Sequence, residues 1–356
     1  MIMGFLRKEE NREREKMRVG FLRKERHPET RVRVMAMVAE YYDIELFYFT
    51  PERVNVKAKT INGLFLEGGE FVEMETPYPD IIDDYSHFET EYAELYEELS
   101  KRSLLTFVTL GGKLNIYRIL QSSKYSIITK PYKDINLDEY LEEHKTLILK
   151  PNRGNKGKNI YKLWRDEKDR YCLQIHDEVT HYKKNEFLSK YHDMFTRLYI
   201  IQPYIKSITS AGSPLNMRVL MIRGKDGDWE LIKMTPRVGI AGTVAENLGL
   251  GSGIAYVNDF FPIEFGEDWK KVHNEIVRLA RTCANTLQKQ YTKLIPALGY
   301  DVGVDRDRNN APKIFEVNVY PGLRPFEMLT LEPKINFYKH LYMNFDKFHD
   351  LQQNGV

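Results

Sequence analysis

The sequence predicts an α+β chain, with a small α/β unit first and then two segments of antiparallel strands and helices. Three observations carry this expectation. Arg18 to Leu22, a helical repeat at Val32, Met35, Ala36 and Ala39, and the β-branched and aromatic run Ile44 to Phe49 follow one another as strand, helix and strand. Thr146 to Lys150 runs into the loop PNRGNKGK and leaves it through Asn159 to Trp164, a strand, loop, strand unit. Gly299 to Asp305 and Lys313 to Tyr320 read as a closing hairpin.

The chain has 356 residues, 42% of them hydrophobic, enough for two or three subdomains. Residues 1–16 read as a charged tail. GFLRKE occurs at Gly4 to Glu9 and again at Gly20 to Glu25, a single duplication too short for a repeat architecture, and the second copy falls on the first strand. The α/β unit is assigned to residues 17–103, with further strands at Ile61 to Leu66 and Phe71 to Met74 and a helix over Phe88 to Lys101. A second segment, 104–205, opens a helix at Gly111, Gly112 and Lys113. It continues through helix Leu137 to His144, the strand, loop, strand unit, helix Asn185 to Phe195 and strand Leu198 to Gln202. A third, 206–345, holds strands Leu215 to Ile222 and Trp229 to Thr235 around the turn GKDGD, the helix from Asp268 to near Gln290 and the closing hairpin. Its glycine-rich loop, Ala241 to Gly253, is too long for a tight turn, and loops of that length in compact domains are often functional. Residues 346–356 read as a tail.

Composition narrows the function classes. Lysines and arginines exceed aspartates and glutamates by only two, against the basic excess of a nucleic-acid binder. Cys172 and Cys283 are far apart and form no CxxC, so neither a disulfide framework nor a zinc site is expected, and a reducing cytoplasm fits. His176 and His181 flank Asp177 and Glu178 at a spacing that does not share a helical face, and His192 stands apart, again against zinc. No apolar run approaches the roughly 20 residues of a membrane span, and no h-region marks a signal peptide. GxSxG and HExxH are missing as well.

What remains is a set of oxygen ligands and cations. In IFEVNVYPGL, regular alternation places Ile314, Glu316 and Asn318 on one face. With Asp305 on the preceding strand they form a hard oxygen set of the kind that suits Mg²⁺. The hairpin alone fits a solvated sheet face equally well, with Arg306, Asp307 and Arg308 in surface pairs. Gly154 and Gly157 let backbone approach a phosphate, and Lys150, Lys156 and Lys158 bring charge, without the spacing of a P-loop. Lys113 at a helix start is a further phosphate contact or an exposed lysine. Arg218 and Arg237 either grip a carboxylate or phosphate or pair with neighbouring acids.

In order and spacing, GGKLNIYRIL, ILKPNRGNKGKNIY, YIIQPYI, LNMRVLMI, PRVGIAGTVAENLGLGSG, ALGYDVGVDRD and KIFEVNVYPGL resemble the ATP-grasp superfamily over residues 104–325. Within it they look like ligases that add glutamate to a ribosomal-protein C-terminus, and most like the endospore coat-associated YheC/YheD-like proteins. The resemblance implies an ATP-grasp fold, ATP clasped between two α+β subdomains, preceded by a small α/β domain. It assigns Lys113 and Lys150 to the ATP phosphates and Gly154, Asn155, Lys156 and Gly157 to a lid. It gives the adenine edge to Ile205 and the backbone of Gln202 and Tyr204, and further nucleotide contacts to Arg218 and Asn247. Arg237 and Asn247 would face the transferred phosphoryl group, with Arg237 and Lys150 catalytic, and Asp305, Glu316 and Asn318 would hold one or two Mg²⁺ ions.

The implied reaction is ATP-driven amide formation through an acyl phosphate on an amino acid, peptide or protein. The implied setting is cytoplasmic, with spore-coat association and a homo-oligomer left open. A non-catalytic nucleotide-binding coat protein and a kinase-like phosphotransferase are the alternatives on the same fold. The chain departs from related ligases at Asn216, where they often carry Asp, and at Ala245, where they carry Arg.

Overall fold

A computed structural model of the chain describes residues 16–84, 91–154, 159–244, 252–319, 321 and 328–354. The tail expected over residues 1–16 lies, except for Lys16, outside the described residues.

Among the described residues the strands form three sheets. The first contains β1 (Arg18–Leu22), β2 (Glu45–Phe49), β3 (Val54–Asn55), β4 (Thr60–Glu67), β5 (Glu70–Pro77), β6 (Ile81–Asp84) and β7 (Leu104–Leu105), with helix α1 (Thr30–Tyr41) between β1 and β2 and α2 (Ala93–Ser100) before β7. Its order is β3-β4-β2-β1-β6-β7, with β5 outside β4, and β1 pairs in parallel with both β2 and β6. Helix α1 buries Val32, Met35, Ala36 and Ala39, the face its spacing predicts. Gly20 is obligatory because a Cβ there would sit 2.7 Å from the Phe49 ring.

The second sheet begins after α3 (Lys113–Ile119) and comprises β8 (Lys130–Pro131), β9 (Thr146–Pro151), β10 (Tyr161–Arg165), β11 (Tyr171–Ile175), β12 (Glu178–Tyr182) and β13 (Tyr199–Pro203), with α4 (Leu137–His144) and α5 (Lys184–Leu198) packed on it. The order is β12-β11-β10-β9-β13-β8. Leu147, Leu149, Leu163, Leu173 and Ile201 share a core with Phe187 and Phe195 of α5. Strand alternation therefore turns Lys150, Lys162, Cys172 and Gln202 to the opposite face. The β11–β12 hairpin is absent from the sequence expectations, since β12 exposes four of its five residues and offers no apolar alternation.

The third sheet is antiparallel, in the order β16-β15-β14-β17-β18. Its strands are β14 (Leu215–Arg223), β15 (Trp229–Val238), β16 (Gly253–Ile254), β17 (Ala297–Asp305) and β18 (Ala311–Asn318), and α6 (Val257–Phe265) and α7 (Trp269–Gln288) lie between β16 and β17. Helix α7 buries Val272, Ile276, Leu279, Ala280, Cys283, Ala284 and Leu287 against Met217, Val219, Leu298, Tyr300 and Val302. The polar side chains of the same strands occupy the other face.

After the third sheet the chain returns to the first. Helix α8 (Leu331–Met343) puts Leu331, Ile335, Tyr338 and Leu341 into the core with Val19, Val32 and Ile81. The tail expected at 346–356 is instead largely helix α9 (Phe345–Asn354). Its sequence is mostly polar, and it is held by Phe345 in the first sheet's core and by side chains bonded to backbone: Gln352 Oε1 accepts from Leu105 N at 2.9 Å, its Nε2 donates to Ser103 O at 2.9 Å, and Gln353 Nε2 donates to Ser100 O at 2.7 Å.

Candidate active site

The third sheet presents a charged inner face, built two residues at a time. On β14, Asn216 and Arg218 alternate with the core residues Leu215, Met217 and Val219. Across the ladder Asn216 pairs with Arg237 and Arg218 with Thr235 of β15, and on the other side Arg218 pairs with Asp301 of β17. Asp301 in turn stands opposite Glu316 of β18.

A β-bulge shapes the last of these pairings. The register passes from Val302↔Ile314 to Asp301↔Glu316, which leaves Phe315 as an extra residue. Regular alternation over 314–319 is broken: Ile314 joins Val317 and Val319 in the core, and the expected grouping of Ile314 with Glu316 and Asn318 is corrected. The bulge also turns the Phe315 carbonyl out of the ladder. That oxygen accepts from Lys150 Nζ at 2.8 Å and from Tyr117 OH at 2.6 Å, while Lys150 Nζ also reaches Tyr117 OH at 2.8 Å. The second and third sheets meet here. Burial pushes the Lys150 ammonium down to about 8, with Glu316 and Asp301 acting in the opposite direction.

The expected oxygen trio does not converge. Asp305 lies opposite Ala311, at the hairpin's far end, where it accepts from Asp307 N at 3.2 Å and sees Arg308 Nε at 3.8 Å. Asp301, one pleat period nearer twice over on the same face, takes the place beside Glu316. Its carboxyl is raised by burial, and Arg218 and Arg237 oppose that shift with contacts of 2.9 and 3.6 Å to Oδ1. Both aspartates of YDVGVD point the same way, so the choice depends on hairpin length. The turn holds Arg306–Arg308 in a 3₁₀ helix and Asn309 and Asn310 at positive φ, a length hidden from strand patterning.

Lys113 lies where the sequence suggests, its Nζ 2.6 Å from Gly154 O and 3.5 Å from Glu316 Oε1. Gly154 has φ of +133°, a conformation that favours glycine. Asn152, unnoticed in the sequence, sets this geometry: its Oδ1 accepts from Leu114 N at 2.8 Å and its backbone oxygen from Lys113 N at 3.1 Å. Asn155, Lys156, Gly157 and Asn247 lie outside the described residues.

At the hinge, Tyr204 N donates to Thr146 O at 2.9 Å. Gln202, in register with Ile148, has the same parity, so the backbone groups of both residues point into the ladder rather than at a ligand. The outward groups are those of Pro203 and Ile205. The Gln202 side chain bonds Thr129 Oγ1 at 2.6 Å, and Lys162 lies 4.4 Å from the Tyr204 ring centre with its pKa lowered by burial.

The decisive match is to the chain itself: residues 105–347 fit the family model described as YheC/D like ATP-grasp. The chain belongs to that family. Its fold is the ATP-grasp fold, and solved ATP-grasp structures overlie it. D-cycloserine synthetase DcsG aligns with a TM-score of 0.51 at 12% identity, covering 92% of this chain and 99% of that one. ATP-grasp ligase PsnB, complexed with a phosphomimetic variant of its minimal precursor, Mg and ADP, aligns at 0.52 and 10% identity, covering 92% and 99%. Among curated relatives, the endospore coat-associated protein YheD of Bacillus subtilis (strain 168) is 22% identical over 78% of this chain, and the alignment spans 64% of YheD's length. YheC of the same strain is 21% identical, covering 82% of this chain and 83% of YheC. The polar inner face of β14, β15, β17 and β18 and the Lys150 face of the second sheet meet at the Phe315 carbonyl. No helix among the described residues is long and apolar enough to cross a membrane.

Proposed function

We propose that the chain is an ATP- and Mg²⁺-dependent carboxylate-amine ligase that forms an amide through an acyl phosphate on an amino acid, peptide or protein. The observation that carries this reading is the charge layout. Two carboxylates and an amide, Asp301, Glu316 and Asn318, lie on one sheet face, with Lys113, Lys150, Arg218 and Arg237 around them.

The donor set fits magnesium: all three groups are hard oxygen donors, and Asp301 is a buried carboxyl whose charged form a cation would favour. Magnesium held there would neutralise phosphate charge during transfer. The chain's own side chains then position and polarise. Lys113 and Lys150 meet the ATP phosphates, Ile205 N–H and Pro203 C=O face the adenine edge, and Arg237 meets the transferred phosphoryl group. A substrate carboxylate oxygen attacks the γ-phosphorus and ADP leaves. The acceptor amine next attacks the acyl carbon, phosphate leaves, and the amine gives up a proton. No step needs a nucleophile from the protein, in keeping with phosphoryl transfer by placement and electrostatics.

The names of YheD and YheC support a setting at the endospore coat. Purified protein incubated with Mg-ATP, hydroxylamine and a panel of amino acids and peptides should release ADP and a hydroxamate. ATP binding without ADP formation across the panel would replace the ligase with a non-catalytic binder, and a stable phosphorylated product would replace it with a phosphotransferase.

A further inference from the structure

Toward the β12 edge of the second sheet, on the face that also carries Lys150, lies a cluster made of none of the residues assigned to ATP. Strands β11 and β12 pair Cys172 with His181, and Cys172 Sγ lies 3.1 Å from His181 Nδ1. Asp166, at the turn between β10 and β11, brings Oδ2 to 3.3 Å from the same ring nitrogen. A thiol sulfur, an imidazole nitrogen and a carboxylate oxygen thus converge within 4.8 Å of one another. On helical spacing His181 has no zinc-ligating partner in the sequence. The hairpin replaces that spacing with a cross-strand pair.

We propose that Asp166, Cys172 and His181 form a binding site for Zn²⁺ or a similarly thiophilic divalent cation, separate from the magnesium-type oxygen set of the cleft. Sulfur, nitrogen and oxygen donors in one cluster are the ligand types zinc takes, and oxygen-seeking magnesium has no use for the sulfur. A thiolate and a carboxylate bring two negative charges to a divalent cation, and Arg170, with Nη2 2.7 Å from Asp166 Oδ2, offsets part of the carboxylate's share. The carboxylate is also held from outside. Oδ1 accepts from Lys168 N and Arg170 N at 3.0 and 2.9 Å, and Oδ2 from Arg170 Nε at 2.8 Å, the outer support that orients a metal-ligating carboxylate. Cys172 is buried, while His181 is half exposed, so a fourth position opens to water on the His181 side. Its role is structural: β12 is an edge strand with four exposed residues, and the cation ties it through Cys172 to the preceding turn.

Co²⁺ is the probe, because a cobalt-thiolate bond gives a near-ultraviolet charge-transfer band that oxygen ligands in the cleft cannot produce. Chelator-treated full-length protein titrated with Co²⁺ should develop this band, Zn²⁺ should abolish it, and Zn²⁺ should raise the melting temperature. Cys172→Ser should lose the band and His181→Ala should weaken Zn²⁺ binding by about tenfold or more, with ATP binding retained in both. Cys283→Ser should keep the band. Absence of the band in the wild type, or its persistence in Cys172→Ser, overturns the site. If Cys172→Ser does not fold, the exposed His181→Ala decides, and unchanged Zn²⁺ affinity there overturns it equally.

Discussion

At the scale of single residues the cleft is a set of compensated charges, and Lys150 shows how close that compensation runs. Its folded pKa of about 8 lies below the ordinary 10.5, so unfolding takes up a proton between those values. Stability from this residue therefore rises with pH from about 8 to 10.5, and the buried ammonium costs stability at neutral pH. Lys150→Met should raise the melting temperature at pH 7 while lowering turnover by about 10²-fold or more. With Lys150 in the proposed phosphate-binding role, kcat/KM for ATP in the wild type should fall as pH rises through about 8, as its charge is lost. A Lys150→Met protein that melted lower and turned over normally would remove Lys150 from the site. The two aspartates of YDVGVD give a second contrast. Asp301→Asn should abolish turnover, since Asp301 stands opposite Glu316, whereas Asp305→Asn can still accept from Asp307 N and should keep most of it. Steady-state ADP release on both variants decides between them, and the opposite ranking would restore Asp305 to the metal set.

At the scale of elements, legibility followed local pattern. Helices α7 and α4 repeat their apolar residues at helical spacing, so each carries its own burial signal in the sequence. Strand β12 and helix α9 carry no such signal, since the first is fixed by a partner strand and the second by Gln352 and Gln353 bonded to distant backbone and by Phe345 in a distant core. The cleft divides the same way. Lys113, Glu316 and Asn318 could be found as residue types in motifs, whereas Asp301, Tyr117 and the outward hinge groups needed register, a bulge and ladder parity. Asn152 links element to site: it caps the start of α3 from the end of β9, a job no residue of the helix does. Asn152→Ala should cost about 1 kcal/mol of stability in urea unfolding and raise KM for ATP, because Lys113 sits on the turn it fixes. Loss of stability with an unchanged KM would confine Asn152 to the helix.

At the scale of the whole molecule, the question is what holds the first sheet to the clasp. The polar inner face ends with β18, and α8, later in the chain, packs in the first sheet's core. The joint is polar as well as apolar. Asp83, at the end of β6, bonds Arg23 from β1's end and both Tyr338 and Lys334 of α8, with Lys334 Nζ at 3.1 Å. Burial alone would raise the Asp83 carboxyl, but Lys334 and Arg23, with the Tyr338 hydroxyl, hold it well below the usual carboxylate range. The folded value is depressed, so its stabilisation is complete above the unfolded value near 4 and is lost as pH falls below it. Asp83→Asn leaves Arg23 and Lys334 buried beside a neutral amide, which should cost about 3 to 5 kcal/mol at pH 7. Urea unfolding from pH 7 down to pH 3 should show the gap between wild type and variant narrowing below about pH 4. A gap that stayed constant with pH would mean that the charge of Asp83 does not carry the stabilisation. Reduced ATP turnover in a folded Asp83→Asn protein would show that the first sheet's grip on α8 also steadies the end of β18, where Glu316 and Asn318 stand.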